Sequence, residues 1–207
     1  MNYLAHAYLS FEITDITVGN MISDFVKGKQ KLDYPIAIQH GITLHRAIDS
    51  FTDTHAITRE AKSFFKEVYG LYAGPLVDVV YDHFLANDPL RFPETGNEDP
   101  AVSSLKVFTQ KTYEELSTRQ ALLPERFGRF FHYMRAQDWL FNYRYKQGIF
   151  NAFAGLARRA AYMGSSDQAG LLFEKYYSGL EACYTDFFPA LQDFALRTLQ
   201  QLQVAKG

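Results

Sequence analysis

Gly41-Ile42-Thr43-Leu44-His45-Arg46-Ala47-Ile48-Asp49-Ser50-Phe51-Thr52-Asp53-Thr54-His55 is the stretch that decides how this chain folds. Leu44, Ile48 and Phe51 recur at the spacing of one helical face. His45, Asp49 and Asp53 follow one another at i, i+4 and i+8. At roughly 100° per residue they fall within an arc of about 80°, beside the apolar stripe, and Arg46 lies just past it. A neutral imidazole one turn before a carboxylate can hold a divalent cation. The same residues also fit a histidine followed by a solvated acidic face and a salt-bridging arginine, and this helix alone leaves both readings open.

Helical periodicity extends outward in both directions. Upstream, residues 2–11 predict a short apolar helix with Asn2 and His6 at i, i+4. A second helix is predicted at 18–29, capped by Asp15 or Thr17, with Asn20 and Asp24 at the same spacing. Pro35 opens the central helix, 35–54. Downstream come helices at 57–69 and 76–86, the latter with Pro75 in its first turn and with Asp78, Asp82 and His83 among apolar residues. The stretch 87–100 holds Pro89, Pro93, Gly96 and Pro100 and is the candidate lobe boundary or lid. Helices are predicted again at 101–118, 124–136 and 147–163, with an aromatic segment at 139–143. A turn and cap at Gly164-Ser165-Ser166-Asp167 leads into a long final helix, 167–204, which Pro189 should kink near Cys183–Thr185. The expectation is a single all-α domain over 1–207.

The totals agree. The chain has 207 residues, 47% of them hydrophobic and 16% aromatic, enough for one sizeable core. A net charge of −2 argues against a general nucleic-acid binder. Cys183 is the only cysteine, which excludes an intrachain disulfide and a cysteine-rich zinc site and suits a reducing compartment. The start, Met1 to His6, lacks a signal-peptide pattern. No apolar run approaches the roughly 18 residues of a membrane span. A cytoplasmic location is the expectation.

Four predicted helices carry polar groups among apolar neighbours: Asn2/His6, Asn20/Asp24, His45/Arg46/Asp49/Asp53 and Asp78/Asp82/His83. Burying such groups without partners is costly, and convergence on a metal is one economical solution. Nitrogen and carboxylate oxygen suit manganese, iron, zinc or magnesium. Phosphate-loop, dinucleotide, serine-triad and CxxC motifs are absent. Between Pro124 and Ala160, Arg126, Arg129, Arg135, Arg144, Lys146, Arg158 and Arg159 face only Glu125 and Asp138. That asymmetry fits an acidic partner or a phosphate, or a solvated basic face.

These stretches resemble the bacterial acyl carrier protein phosphodiesterases. The resemblance rests on Asn2-Tyr3-Leu4-Ala5-His6, Gly19 to Gly28, His45-Arg46-Ala47-Ile48-Asp49, Thr52-Asp53 and Tyr81-Asp82-His83-Phe84-Leu85. Later matches are Tyr133-Met134, Trp139-Leu140, Tyr143 and Gly155 to Arg159. It implies an HD-domain-like helical bundle and hydrolysis of the 4′-phosphopantetheine arm from holo acyl carrier protein, with manganese or a similar divalent ion. One departure is visible: the His-Asp doublet of HD enzymes is missing, since Arg46 follows His45 and Asp82-His83 is reversed. Joined to the residue pattern, the resemblance puts Asp24, His45, Asp49 and Asp82 at the metal. His6 and His83 would be further ligands or proton-transfer groups, Arg46 would neutralise phosphate charge, and Asp53 would orient His45 or Arg46. The basic residues from Arg126 to Arg159 would dock the acidic carrier protein. Two rivals stay open: a metal phosphohydrolase of nucleotides or other small phosphodiesters, and a non-enzymatic helical binding protein. The sequence does not give an oligomeric state.

Overall fold

The chain is described here from a computed structural model that covers residues 1–94, 103–160 and 162–204. Among these residues every regular element is helical. In order they are α1 (Tyr3–Tyr8), α2 (Thr14–Ile22), α3 (Ile36–Thr54), α4 (Ala56–Tyr69), α5 (Ala73–Ala86) and α6 (Ser104–Thr118). They continue with α7 (Glu125–Ala136), α8 (Trp139–Asn142), α9 (Lys146–Arg159), α10 (Ser166–Lys175) and α11 (Tyr177–Val204). The fold is an all-α bundle.

Helix α3 is the hub. It carries Leu44 and Ile48 into the core, and α2 crosses it at a pair of glycines. A Cβ on Gly19 would stand 2.1 Å from the Ile38 carbonyl oxygen, and one on Gly41 would stand 2.3 Å from that of Ile16. Only glycine lets two helix backbones approach this closely. On its other side, α3 packs against α11, where Phe51 stacks on Phe194 at 4.4 Å and lies beside Phe187.

Helix α1 has six residues, too few to persist alone, and tertiary bonds hold it. The buried Asp82 carboxylate of α5 accepts the backbone N–H of Leu4 (2.8 Å) and of Ala5 (2.9 Å). At the other end the Asn20 side chain donates to the His6 carbonyl at 2.9 Å.

Three expectations are corrected. Helix α2 begins at Thr14 and ends at Ile22 instead of running 18–29. Asp24 therefore lies in a 3-10 turn, Ser23–Phe25, after which Val26 is extended and Gly28 takes a φ of +51° that no helix continues through. The long final helix is two. It breaks at Tyr176 because α10 packs on α9 whereas α11 packs on α3 and α4, and one straight rod cannot follow both. Pro189 lies within the continuous α11. The expected lobe boundary, 87–100, is described only to Glu94. That part is anchored: Tyr184 donates to Asp88 at 2.8 Å, and Phe92 is buried between Tyr8 and Phe108.

Candidate metal centre

Helices α1 and α3 bring His6, His45 and Asp49 together. One donor atom from each lies within 4.8 Å of the other two. The His6 and His45 rings stack, with centroids 3.9 Å apart. Asp49 joins them: Oδ1 is 3.1 Å from His6 Nε2, and Oδ2 is 3.1 Å from His45 Nε2. The α-amino group of Met1 donates to Asp49 Oδ1 at 3.1 Å and lies 3.2 Å from Asp78 Oδ1. Asp24 reaches the same cluster from the turn after α2, with Oδ1 3.2 Å from His45 Nε2, and its side chain is exposed.

The close glycine crossing explains why His45 points as it does. It sets the carbonyl of Asn20, in the last turn of α2, 2.7 Å from His45 Nδ1. Nδ1 therefore carries the proton in the neutral ring, and Nε2 presents its lone pair to Asp24 and Asp49. Asn20 thus positions both histidines, His6 through its side chain and His45 through its backbone.

A bare lone pair facing two carboxylates is unfavourable, so this arrangement demands a cation. Burial opposes a charge on His45, but hydrogen bonds to Asp24 and Asp49 outweigh it and raise the ring to about 9. Burial would also raise Asp49, yet bonds from His45 and His6 hold it far below the usual carboxylate range. The His45 bond lowers Asp24. Burial and the His45 charge lower His6 to about 4, so that ring is neutral near pH 7. A proton on His45 Nε2 then stands where a metal ion would. The residues fit such an ion. His6 Nδ1 is buried with no hydrogen-bond partner among the described residues, and the donors are nitrogen and carboxylate oxygen.

Several predicted site residues lie elsewhere. Asp82 is not at the centre, because both of its oxygens are engaged by the amides at the start of α1; burial, partly offset by these bonds, raises it to about 7. His83 faces the Tyr143 carbonyl (2.8 Å) and the Tyr177 hydroxyl (3.0 Å). Asp53 is exposed and pairs with Lys62 at 2.8 Å, so it orients neither His45 nor Arg46. Arg46 donates to the Val26 carbonyl at 2.9 Å and fastens the turn that carries Asp24.

The basic residues divide. Arg126 is exposed on α7, and Arg129 beside it pairs with Glu125. Arg135 donates to Ser117, and Arg144 pairs with Glu94. Lys146 lies 3.7 Å from Glu174. Arg158 and Arg159 line a cavity of about 450 Å³ together with Asn2 and Tyr3. This cavity escaped the sequence reading, although two of its aromatic members, Trp139 and Tyr143, stood out there.

Compared with known proteins, residues 1–191 match the family described as acyl carrier protein phosphodiesterase. A protein of that name from Serratia proteamaculans is 31% identical over 195 residues, covering 94% of this chain and 97% of its own. One from Yersinia pestis is 29% identical over 206 residues, covering 99% of this chain and 100% of its own. No solved structure matches the chain.

Proposed function

The chain belongs to the acyl carrier protein phosphodiesterase family, and from that premise we propose that it hydrolyses the 4′-phosphopantetheine arm from holo acyl carrier protein, releasing the apo protein. The observation that carries this reading is the His6–His45–Asp49 group, in which His6 Nδ1 is buried with no hydrogen-bond partner among the described residues. His6, His45 and Asp49 would hold a divalent ion, manganese in this reading, beside the Asp24 carboxylate. Such an ion would neutralise charge on the phosphodiester and lower the pKa of the attacking water.

The residues supply the rest. Asn20 keeps His45 Nε2 turned toward the centre. Asp24, exposed and ionised, faces the side from which a large substrate can approach. It takes a proton from water as the oxygen adds to phosphorus. The bond from phosphorus to the carrier serine oxygen breaks, and that oxygen receives the proton. The products are the serine hydroxyl of the apo protein and free phosphopantetheine. Exposed Arg126 and Arg129 offer positive charge to an acidic carrier, a contact that salt would weaken. Among the described residues no helix is long and apolar enough to cross a membrane.

Incubation with holo acyl carrier protein and Mn²⁺, followed by intact-mass measurement, tests the proposal. Loss of the arm mass is expected. Cleavage of nucleotides with the holo carrier left whole would replace this reading with the small-phosphodiester one. Failure to bind any divalent ion would favour a binding protein.

A further inference from the structure

The cavity of about 450 Å³ shares helix α1 with the metal centre. Tyr3, one turn before His6 on α1, forms part of its wall. Phe130, another wall residue, packs on Tyr3 at 5.1 Å and on Phe25 at 6.1 Å, and Phe25 adjoins Asp24. Tyr3 feels both ends of this path: burial raises its hydroxyl, Asp24 adds to that, and Arg159 opposes it. In its lining Trp139 gives an apolar surface, Asn2 and Asn151 give amide groups, and Arg158 and Arg159 add positive charge. The volume lies in the range of about 300–1,000 Å³ typical of small-molecule sites and is too small for a helix of a partner protein.

We infer that this cavity receives the phosphopantetheine arm, the half of the substrate that leaves, so that the enzyme recognises the prosthetic group as well as the carrier. The inference rests on the proposed phosphodiesterase activity. An extended chain with two amides, a branched aliphatic segment and an anionic phosphate at its scissile end matches the lining: amide side chains, aromatic faces, and Arg159, which acts on the same Tyr3 hydroxyl as Asp24. Gly155 lines the cavity. A Cβ there meets nothing nearer than Arg158 Nη2 at 3.9 Å, so a larger side chain would grow into the cavity without displacing the backbone. By contrast, a Cβ on Gly148 would strike the Asn142 carbonyl oxygen at 2.0 Å.

Trp139 is the only tryptophan, so the tryptophan fluorescence of the chain arises in the wall of this cavity. The experiment titrates the full chain with 4′-phosphopantetheine, with inorganic phosphate as the control, and repeats it on Gly155→Leu. Saturable change with phosphopantetheine and none with phosphate is expected. Gly155→Leu should weaken that binding, and kcat/KM on holo carrier, by roughly tenfold or more. Its thermal midpoint and Mn²⁺-dependent stabilisation should be retained. Flat wild-type fluorescence, or Gly155→Leu with wild-type binding and turnover, would overturn the inference even if the arm is still released. If the wild type releases no arm from holo carrier, the phosphodiesterase reading fails instead, and the titration still decides whether the cavity binds this ligand.

Discussion

Replacing Gly41 with alanine should loosen the candidate site without touching any residue in it. The new Cβ would lie 2.3 Å from the Ile16 carbonyl oxygen and 2.9 Å from the Gly19 Cα. Ordinary contact begins at 3.4 Å, so α2 and α3 must part by about 1 Å. The Asn20–His45 hydrogen bond, now 2.7 Å, would then open beyond bonding distance. Overpacking costs about 1–3 kcal/mol and the lost bond about 1 kcal/mol, while alanine gains about 1 kcal/mol over glycine in a helix. The net destabilisation is about 2 kcal/mol, or roughly 4–8 °C in Tm at this size. A displacement of about 1 Å at a catalytic group also costs on the order of a hundredfold in turnover. Thermal denaturation by circular dichroism and arm release by intact mass measure both effects. Gly128→Ala on α7 is the control: a Cβ there meets nothing within 4 Å, and the helix should gain up to about 1 kcal/mol. Gly41→Ala with unchanged or raised Tm and full activity would refute the reasoning.

Three further outcomes are expected. In the metal-free protein, the folded His45 ring titrates near 9 instead of 6.5, so its stabilisation is complete below pH 6.5 and is lost as pH rises through 9. The Met1 ammonium, raised to about 10 where burial is outweighed by Asp78 and Asp49, acts in the same direction above pH 8. Urea denaturation in chelator should fall by up to about 3 kcal/mol from His45 over that interval, and Asp49→Asn should flatten the profile; a rising profile would contradict the ion pair. Asp82→Asn sets an amide N–H₂ against one of the two N–H donors of α1, and should cost about 1–3 kcal/mol and lower turnover while Mn²⁺ still binds; loss of the Mn²⁺ site at full stability would return Asp82 to the ligand set. Asn20→Ala removes donors to the His6 carbonyl (2.9 Å) and Ser10 Oγ (3.1 Å), and should lower urea stability by about 1–3 kcal/mol and slow arm release; wild-type values for both would show that the Asn20 side chain positions nothing.

Local periodicity carried the fold and half of the site. The i, i+4 pair of His45 and Asp49 was legible because one turn of α3 fixes their relation whatever surrounds them. Asp53 was not. A second turn moves it about 12 Å along the axis from His45, toward α4 and Lys62, and angular position on a helix says nothing about that distance. Asp82 and His83 misled for another reason. A buried carboxylate has the same sequence signature whether it ligates a metal or receives the first amides of a helix far away in the chain. The split of the final helix was hidden because an apolar stripe shows that a face is buried but not against which neighbour. Nor could spacing reveal the carbonyl of Asn20, since a backbone acceptor has no residue type.

The central claim is that His6, His45 and Asp49 form a metal site. Titration of metal-free protein with Mn²⁺, followed by electron paramagnetic resonance, tests it directly on the wild type, Asp49→Asn and Asp53→Asn. A single bound ion in the wild type and in Asp53→Asn, and none in Asp49→Asn, is the predicted result. Binding by Asp49→Asn as tight as the wild type's, or loss of the ion in Asp53→Asn alone, would contradict it.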